Sequence, residues 1–321
     1  MLVKNTYNKK MGTSNKKRDL FMNKRSYTLL TVFALSSLLL LAGCGMRASL
    51  ISGLLTDNGW PKKRVMVMPA TNLTGTPLSE SIDTISEELT KILRKTGFFN
   101  LYPQNKTKKF HSFTPGESID PELLREAKER GINAIIFETL NPIEVNPGKS
   151  GIWPFRKKGW RCTVSMNIDT VDVATETILL SKEIADNITL SGEETTDEIE
   201  KVTNVKIKKR AFKECLPDLL KRAANAASLS LNKEVWTGRI VSIDKKEIII
   251  NAGSDVGLRP GVVLEVFCEG ECITSFKEHI YQLSGPKAGE IKIVSIKQRH
   301  SFAEPIKGGD FIPGQIIRVK D

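Results

Sequence analysis

Residues 60–321 predict an α/β domain built on one mixed sheet, followed by a small all-β, barrel-like domain. Two observations carry that prediction. From 60 to 232, capped apolar stripes at helical spacing alternate with short apolar runs. From 233 to 321, short strands alternate with glycine turns and helical periodicity fades, apart from a weak stretch near 274–283. A third observation concerns what precedes them: the most apolar segment of the chain, LLLLAGCG at 38–45, stops on a cysteine.

Length decides how that segment reads. The uncharged run 26–43 has 18 residues and its solidly apolar centre, 29–41, has 13. As a helix the centre spans roughly 20 Å, short of the ~30 Å hydrocarbon core. Preceded by Lys24 and Arg25 and followed by small residues, it reads as a secretory signal covering residues 1–43. Met22 opens a complete signal by itself, which marks 1–21 as an over-extended gene start. The net charge of +11 falls to +4 once residues 1–43 are removed, leaving 40 basic against 36 acidic residues. Little excess charge remains to build a nucleic-acid face, so no nucleic-acid partner is expected.

In the first domain, Arg64–Pro69 reads as a strand after a tether at 44–59. Thr76-Pro77 supplies a cap and a first-turn proline for a helix reaching Thr96, with Ile82, Ile85, Leu89, Ile92 and Leu93 along one face and Gly97 as its left-handed stop. Asp120-Pro121 opens a second helix that ends at Gly131 and feeds an apolar strand, Ile132–Phe137. Runs at 161–169 and 177–184 read as a hairpin. A charged stretch, 197–213, precedes a better helix opened by Pro217. In the second domain, strands are expected at 239–243, 247–251, 262–267, 290–296 and 315–319, with Pro260-Gly261 at the centre of a type II turn.

Chemistry is sparse. Gly148-Lys149-Ser150 mimics the end of a phosphate loop, but position 143 is Ile where the motif needs glycine. There is no nucleophile elbow and no His-Glu-x-x-His helix. His111, His279 and His300 have no cysteine or acidic partner at ligand spacing, so neither metal nor cofactor is expected. Glu87-Glu88 and Glu193-Glu194 read as solvated surface. Apart from Cys44, the four cysteines are compatible with two disulfides in any of three pairings. Cys268 and Cys272 are expected to face each other across a tight hairpin, and Cys162 to pair with Cys215 only where strand and helix adjoin. Trp153, Phe155, Arg156 and Trp160, in a Pro/Gly-rich loop with Lys157 and Lys158, read equally as a folded-back hairpin tip and as a partner contact. The Gly253–Gly261 turn is a second candidate contact, better explained as a structural turn.

Leu41-Ala-Gly-Cys44 resembles a bacterial lipobox, which implies that Cys44 carries diacylglycerol and becomes the mature amino terminus. Gly45, in place of aspartate, implies by the same resemblance an outer-membrane site on the periplasmic face. Arg64-Val-Met-Val-Met-Pro-Ala-Thr-Asn-Leu-Thr-Gly75, the helix ending Thr96-Gly-Phe-Phe99, the Gly131–Phe137 strand and Asn167–Glu176 resemble an envelope module. It is shared by the curli-secretion lipoprotein CsgG, the TolB amino-terminal domain and the middle domain of flagellar assembly protein T. The barrel, with Ile250-Asn-Ala-Gly-Ser-Asp-Val-Gly-Leu-Arg-Pro-Gly261 and Gly308-Gly-Asp-Phe-Ile-Pro-Gly314, resembles the carboxy-terminal domain of the flagellar protein. Two departures matter: this chain has a lipobox and only a tether before position 60, and it lacks channel-forming hairpins. Residues 141–160 hold three prolines and three glycines without the alternation that a membrane strand of about 9–11 residues needs.

The resemblance implies a non-catalytic, lipid-anchored protein that scaffolds a larger envelope structure, a flagellar basal-body ring or related secretion apparatus first. Its partners would be the membrane through Cys44 and envelope proteins, a homo-oligomeric ring included. The alternatives are a curli-type secretion component, a periplasmic activator of a cell-wall synthase, and an envelope-glycan enzyme with a carboxylate pair hidden from sequence.

Overall fold

The computed structural model describes residues 61–75, 79–103, 119–150, 154, 157–191, 205–244, 247–274 and 280–320. Gly59–Asp321 form one compact unit. It is an α/β structure with a mixed sheet and a closed antiparallel barrel.

The mixed sheet runs β3 (Phe99–Pro103), β1 (Lys63–Val67), β4 (Ala134–Leu140), β6 (Lys157–Asp172), β5 (Glu144–Ser150), with β2 (Thr71–Asn72) on β4 and β7 (Ile178–Ser191) on β6. β1 is parallel to β3 and β4, whereas β4 and β6 are antiparallel, so the sheet is mixed as expected. β4 is buried at every residue, which its unbroken apolar run required. One face carries α1 (Ser79–Thr96) and α3 (Val205–Leu231), whose Ile85, Leu89, Leu93, Leu219 and Leu231 are fully buried against Ile136, Met166 and Ile168. Each such side chain contributes about 1.5–3 kcal/mol of burial. The other face carries α2 (Pro121–Glu129), packed through Leu123, Leu124 and Ala127 on Ile135 and Phe137. Asp120 caps α2 by accepting from the Glu122 amide at 2.9 Å, and Gly97 and Gly131 close α1 and α2 with φ of +75° and +66°.

The barrel order is β10 (Val263–Thr274), β11 (Ile280–Ile296), β12 (Ser301–Gly308), β9 (Glu247–Ile250), β8 (Gly238–Asp244), β13 (Ile316–Val319), closing on β10. Its own core includes Trp236, Ile240, Ile250, Leu264, Val266, Ile291 and Ile317. Gly261 has φ +89°, and the Val262 amide donates to the Arg259 carbonyl at 3.3 Å, as a type II turn at Pro260-Gly261 requires.

Several expectations need correction. Pro217 lies inside α3 instead of opening a helix, because the buried stripe from Ala211 to Leu231 runs continuously past it. Of the weak helical signal near 274–283, Thr274 and Ile280–Gln282 are strand, pairing between β10 and β11, and 275–279 lie outside the described residues. β12 is an additional strand that the sequence does not announce, its alternation blurred by Pro305 and Lys307. β5 and β6 pair antiparallel at seven positions, from Glu144↔Thr163 to Ser150↔Lys157. Among the described residues no helix is long and apolar enough to cross a membrane.

Candidate functional site

The densest polar arrangement lies where the amino-terminal end of β1 meets the barrel. β1 enters the sheet directly from this seam, so Arg64 is only 3% exposed while its neighbours Val65 and Met66 fill the cores on either face. The 3-10 turn Ser254–Val256 presents Asp255 to it. Arg64 Nε donates to Asp255 Oδ2 at 2.9 Å and Nη2 to Oδ1 at 2.8 Å, a bidentate pair. Nη1 donates to the Arg130 and Asn251 carbonyls, and Nη2 to the Arg299 carbonyl at 3.3 Å. All five guanidinium donors are thereby used. Asp255 also accepts from Tyr102 Oη at 2.9 Å and Asn100 Nδ2 at 3.2 Å. Burial pushes its carboxyl up, but the hydrogen bonds and charge of Arg64, with the Tyr102 hydroxyl, outweigh it and hold the pKa below the usual carboxylate value.

Secondary contacts extend the seam. Asn133 accepts from the Arg64 amide at 2.9 Å and donates to the Thr237 carbonyl; Lys63 Nζ donates to the Glu234 carbonyl at 2.6 Å, and the Lys62 amide to the Val256 carbonyl at 2.7 Å. Gly131 is required here on two counts. Its φ is +66°, and a Cβ would lie 2.6 Å from Arg64 Nη1. The cavity between Lys128, Gly131, Arg239 and Asn251 is about 10 Å³, far below the several hundred Å³ of an organic-ligand site. The Gly253–Gly261 stretch is thus occupied in part by its own chain, Asp255 being the barrel's side of the seam.

A shallow groove of about 410 Å³ lies on the β10–β11 hairpin, lined by Glu269, Gly270, Glu271, Leu283, Gly285 and Pro286. Both carboxylates are exposed. Among the described residues, no group of three or more His, Cys, Asp or Glu side chains is placed to hold a metal ion.

The residues singled out by sequence are dispersed. Cys44, Trp153, Phe155 and Arg156 lie outside the described residues. Trp160 is in β6, its backbone opposite Pro147 and Leu190. The hairpin expected between Cys268 and Cys272 does not form there: both belong to β10, at roughly 10–13 Å along one strand, beyond the ~7 Å that a disulfide spans. Cys268 is a free thiol that accepts from Gln315 Nε2 at 3.9 Å. Cys162 on β6 and Cys215 on α3 share one buried core, as adjacency required, and both are free thiols. Burial, with Asp186 and Glu214 beside it, pushes Cys215 up to about 11. Sequence reasoning missed Arg64 and Asp255 as a pair. The available signal was an arginine at the start of an apolar strand that is otherwise buried on both faces.

No protein-family model matches the chain, and no curated protein does. Solved structures do resemble it. A hypothetical protein, CT253, from Chlamydia trachomatis is 11% identical, with 52% of this chain and 99% of that one covered at a TM-score of 0.33. Lipoprotein GNA1162 from Neisseria meningitidis is 14% identical, covering 46% and 96% at 0.26. Uncharacterized lipoprotein B from Nitrosomonas europaea is 16% identical, covering 55% and 90% at 0.28. At these identities and TM-scores no function transfers, and the curli, TolB and flagellar resemblances rest on the short motifs alone.

Proposed function

We propose that this protein is a lipid-anchored, non-catalytic component of the bacterial envelope that scaffolds a larger assembly, a flagellar basal-body ring or related secretion apparatus first among them. The observation that carries the reading is Leu41-Ala-Gly-Cys44 behind an apolar run too short to span a bilayer. A multiply acylated cysteine anchors stably where one chain does not. The scaffold role is supported by the seam, where two separately cored modules are held together by a fully used arginine.

Cells fed a clickable fatty acid test the anchor. Labelling and membrane retention are expected for the wild type and are lost in Cys44→Ala; equal retention in both would refute it. In-cell cross-linking and recovery then test the scaffold, with envelope partners or higher oligomers expected. The groove at Glu269 and Glu271 is where the rival glycan-enzyme reading is put to the test. Murein cleavage by the wild type that disappears in Glu269→Gln or Glu271→Gln would replace the scaffold reading with that one.

A further inference from the structure

β7 is fourteen residues long and pairs along one edge only, with β6. Among the described residues no strand lies on its other edge, and Ser181, Lys182, Glu183, Ala185, Asn187 and Thr189 are exposed. Such an edge is a template for another strand. Two contacts establish which backbone groups point outward. Arg222 Nη1 of α3 donates to the Ala185 carbonyl at 2.9 Å, and the Asn187 amide donates to the Asp186 carboxylate at 2.8 Å. Both involve odd-numbered backbone groups. In an antiparallel ladder the pairing side alternates, so from Leu180 onward, past the bulge at Leu179, even positions bond inward to β6 and odd ones face out. Side chains at even positions share the helix-facing side with buried Ile184, and those include Lys182 and Asp186.

We infer that β7 is a homodimerisation edge that pairs antiparallel with β7 of a second copy, about a twofold axis at Ile184. Of the axes centred on residues 182–186, that one alone makes the strand self-complementary. Ile184 meets Ile184 of the second copy, Leu180 meets its Ile188, and Lys182 meets its Asp186 on both sides of the axis. The backbone of 183 exchanges hydrogen bonds with 185 of the second copy, and 181 with 187. Centring the axis on Lys182, Glu183 or Asp186 sets like charges face to face, which is unfavourable. Centring it on Ala185 puts Lys182 opposite Ile188 and leaves both charges unmatched.

The two guarding contacts are released without orphaning a charge. Arg222 keeps Asp218, 3.3 Å away on its own helix, while the Ala185 carbonyl takes an amide from the second copy. Asp186 leaves its own-strand amide for Lys182 of the second copy. Helix α3 packs against both β6 and β7. With strands about 4.8 Å apart, the axis then leaves the two copies of α3 roughly 10 Å apart, an ordinary helix–helix distance. A closed, isologous dimer results, which stands apart from the scaffold role and does not require it.

Charge reversal tests both the surface and the register. The full chain, extracted in detergent, is examined by sedimentation equilibrium as wild type, Lys182→Asp, Asp186→Lys and the double variant, with circular dichroism to confirm folding. The wild type sediments as a dimer. Each single variant weakens dimerisation by ~10–100-fold, because two attractive pairs become repulsive. The double variant restores it by exchanging the two charges. Lys182 is exposed, so Lys182→Asp reports even where Asp186→Lys, whose carboxylate lies near Cys215, fails to fold. A wild type that stays monomeric at about 50 µM would overturn the inference, and so would a dimer indifferent to the reversals. Failure of the lipid-labelling test leaves this result untouched.

Discussion

Glu138 holds a carboxyl in the apolar layer between the mixed sheet and helices α1 and α3. Its register partner on β6 is Ile168, a member of that core, and the side chain is 1% exposed with neither oxygen hydrogen-bonded. Burial pushes its pKa up to about 8 from 4.5. The sign follows directly. Between those values the native state keeps the proton and the unfolded state does not, so stability falls as pH rises through the window, by roughly 1.4 kcal/mol per unit. Below 4.5 both states are protonated and above 8 neither is, so the slope vanishes outside it. Glu138→Gln keeps the neutral form at every pH. Its denaturant midpoint should match the wild type near pH 5 and exceed it near pH 8; parallel pH dependence in the two proteins would contradict the assignment. Cys162 and Cys215 share this layer, and burial raises both thiols. At pH 8 they should resist maleimide in the native protein and react once it is unfolded, whereas the part-exposed Cys268 should label without unfolding. Rapid native labelling of all three would mean that the core is open.

At the scale of elements, α3 is the case where tertiary packing overrides a local signal. A proline in a helix interior costs about 3 kcal/mol and removes one backbone donor. Pro217 stays because it is exposed, while Ala211, Phe212, Cys215, Leu219, Leu220, Ala223, Ala224 and Ala227 bury around it. Pro217→Ala should raise the melting temperature, by about 1–3 kcal/mol in stability. A lower melting temperature would show that the proline itself is required. The same override explains what the sequence made legible and what it did not. α1 and α2 were readable because Asp120, Gly97 and Gly131 mark their ends and the apolar stripes have helical period. β4 was readable as an unbroken buried run. β3, β5 and β12 were not, because Pro103, Pro147 and Pro305 sit within them and mimic turns. Cys268 and Cys272 misled for a related reason. Glu-Gly-Glu between them looks like a turn, but Gly270 is a strand position, where a Cβ would lie 2.3 Å from the Leu283 carbonyl oxygen.

Over the whole molecule, the decisive contacts join residues 191 positions apart, and no periodicity can announce them. The described residues carry three hydrophobic clusters, one on each face of the mixed sheet and one in the barrel, yet Arg64 fills the seam between sheet and barrel with all five donors engaged across the Asp255, Arg130, Asn251 and Arg299 partners. The pair is nearly dry, 3% and 10% exposed, so removing one member strands the other as a buried charge at about 3–5 kcal/mol. That cost falls on the coupling between modules more than on either core. The wild type should therefore unfold in one cooperative calorimetric transition, and Asp255→Asn or Arg64→Ala should split it into two. Acid should act in the same direction. The Asp255 pKa is held below its ordinary 3.8, so its contribution is fully present above that pH and is lost as pH falls through the lower folded value. Calorimetry of the wild type at pH 7 and at pH 3 or below should then show one transition giving way to two, while Asp255→Asn shows two at both. A single transition in the Asp255→Asn protein at pH 7 would mean that the secondary contacts of Lys62, Lys63 and Asn133 suffice to couple the modules, and that the arginine is not what joins them.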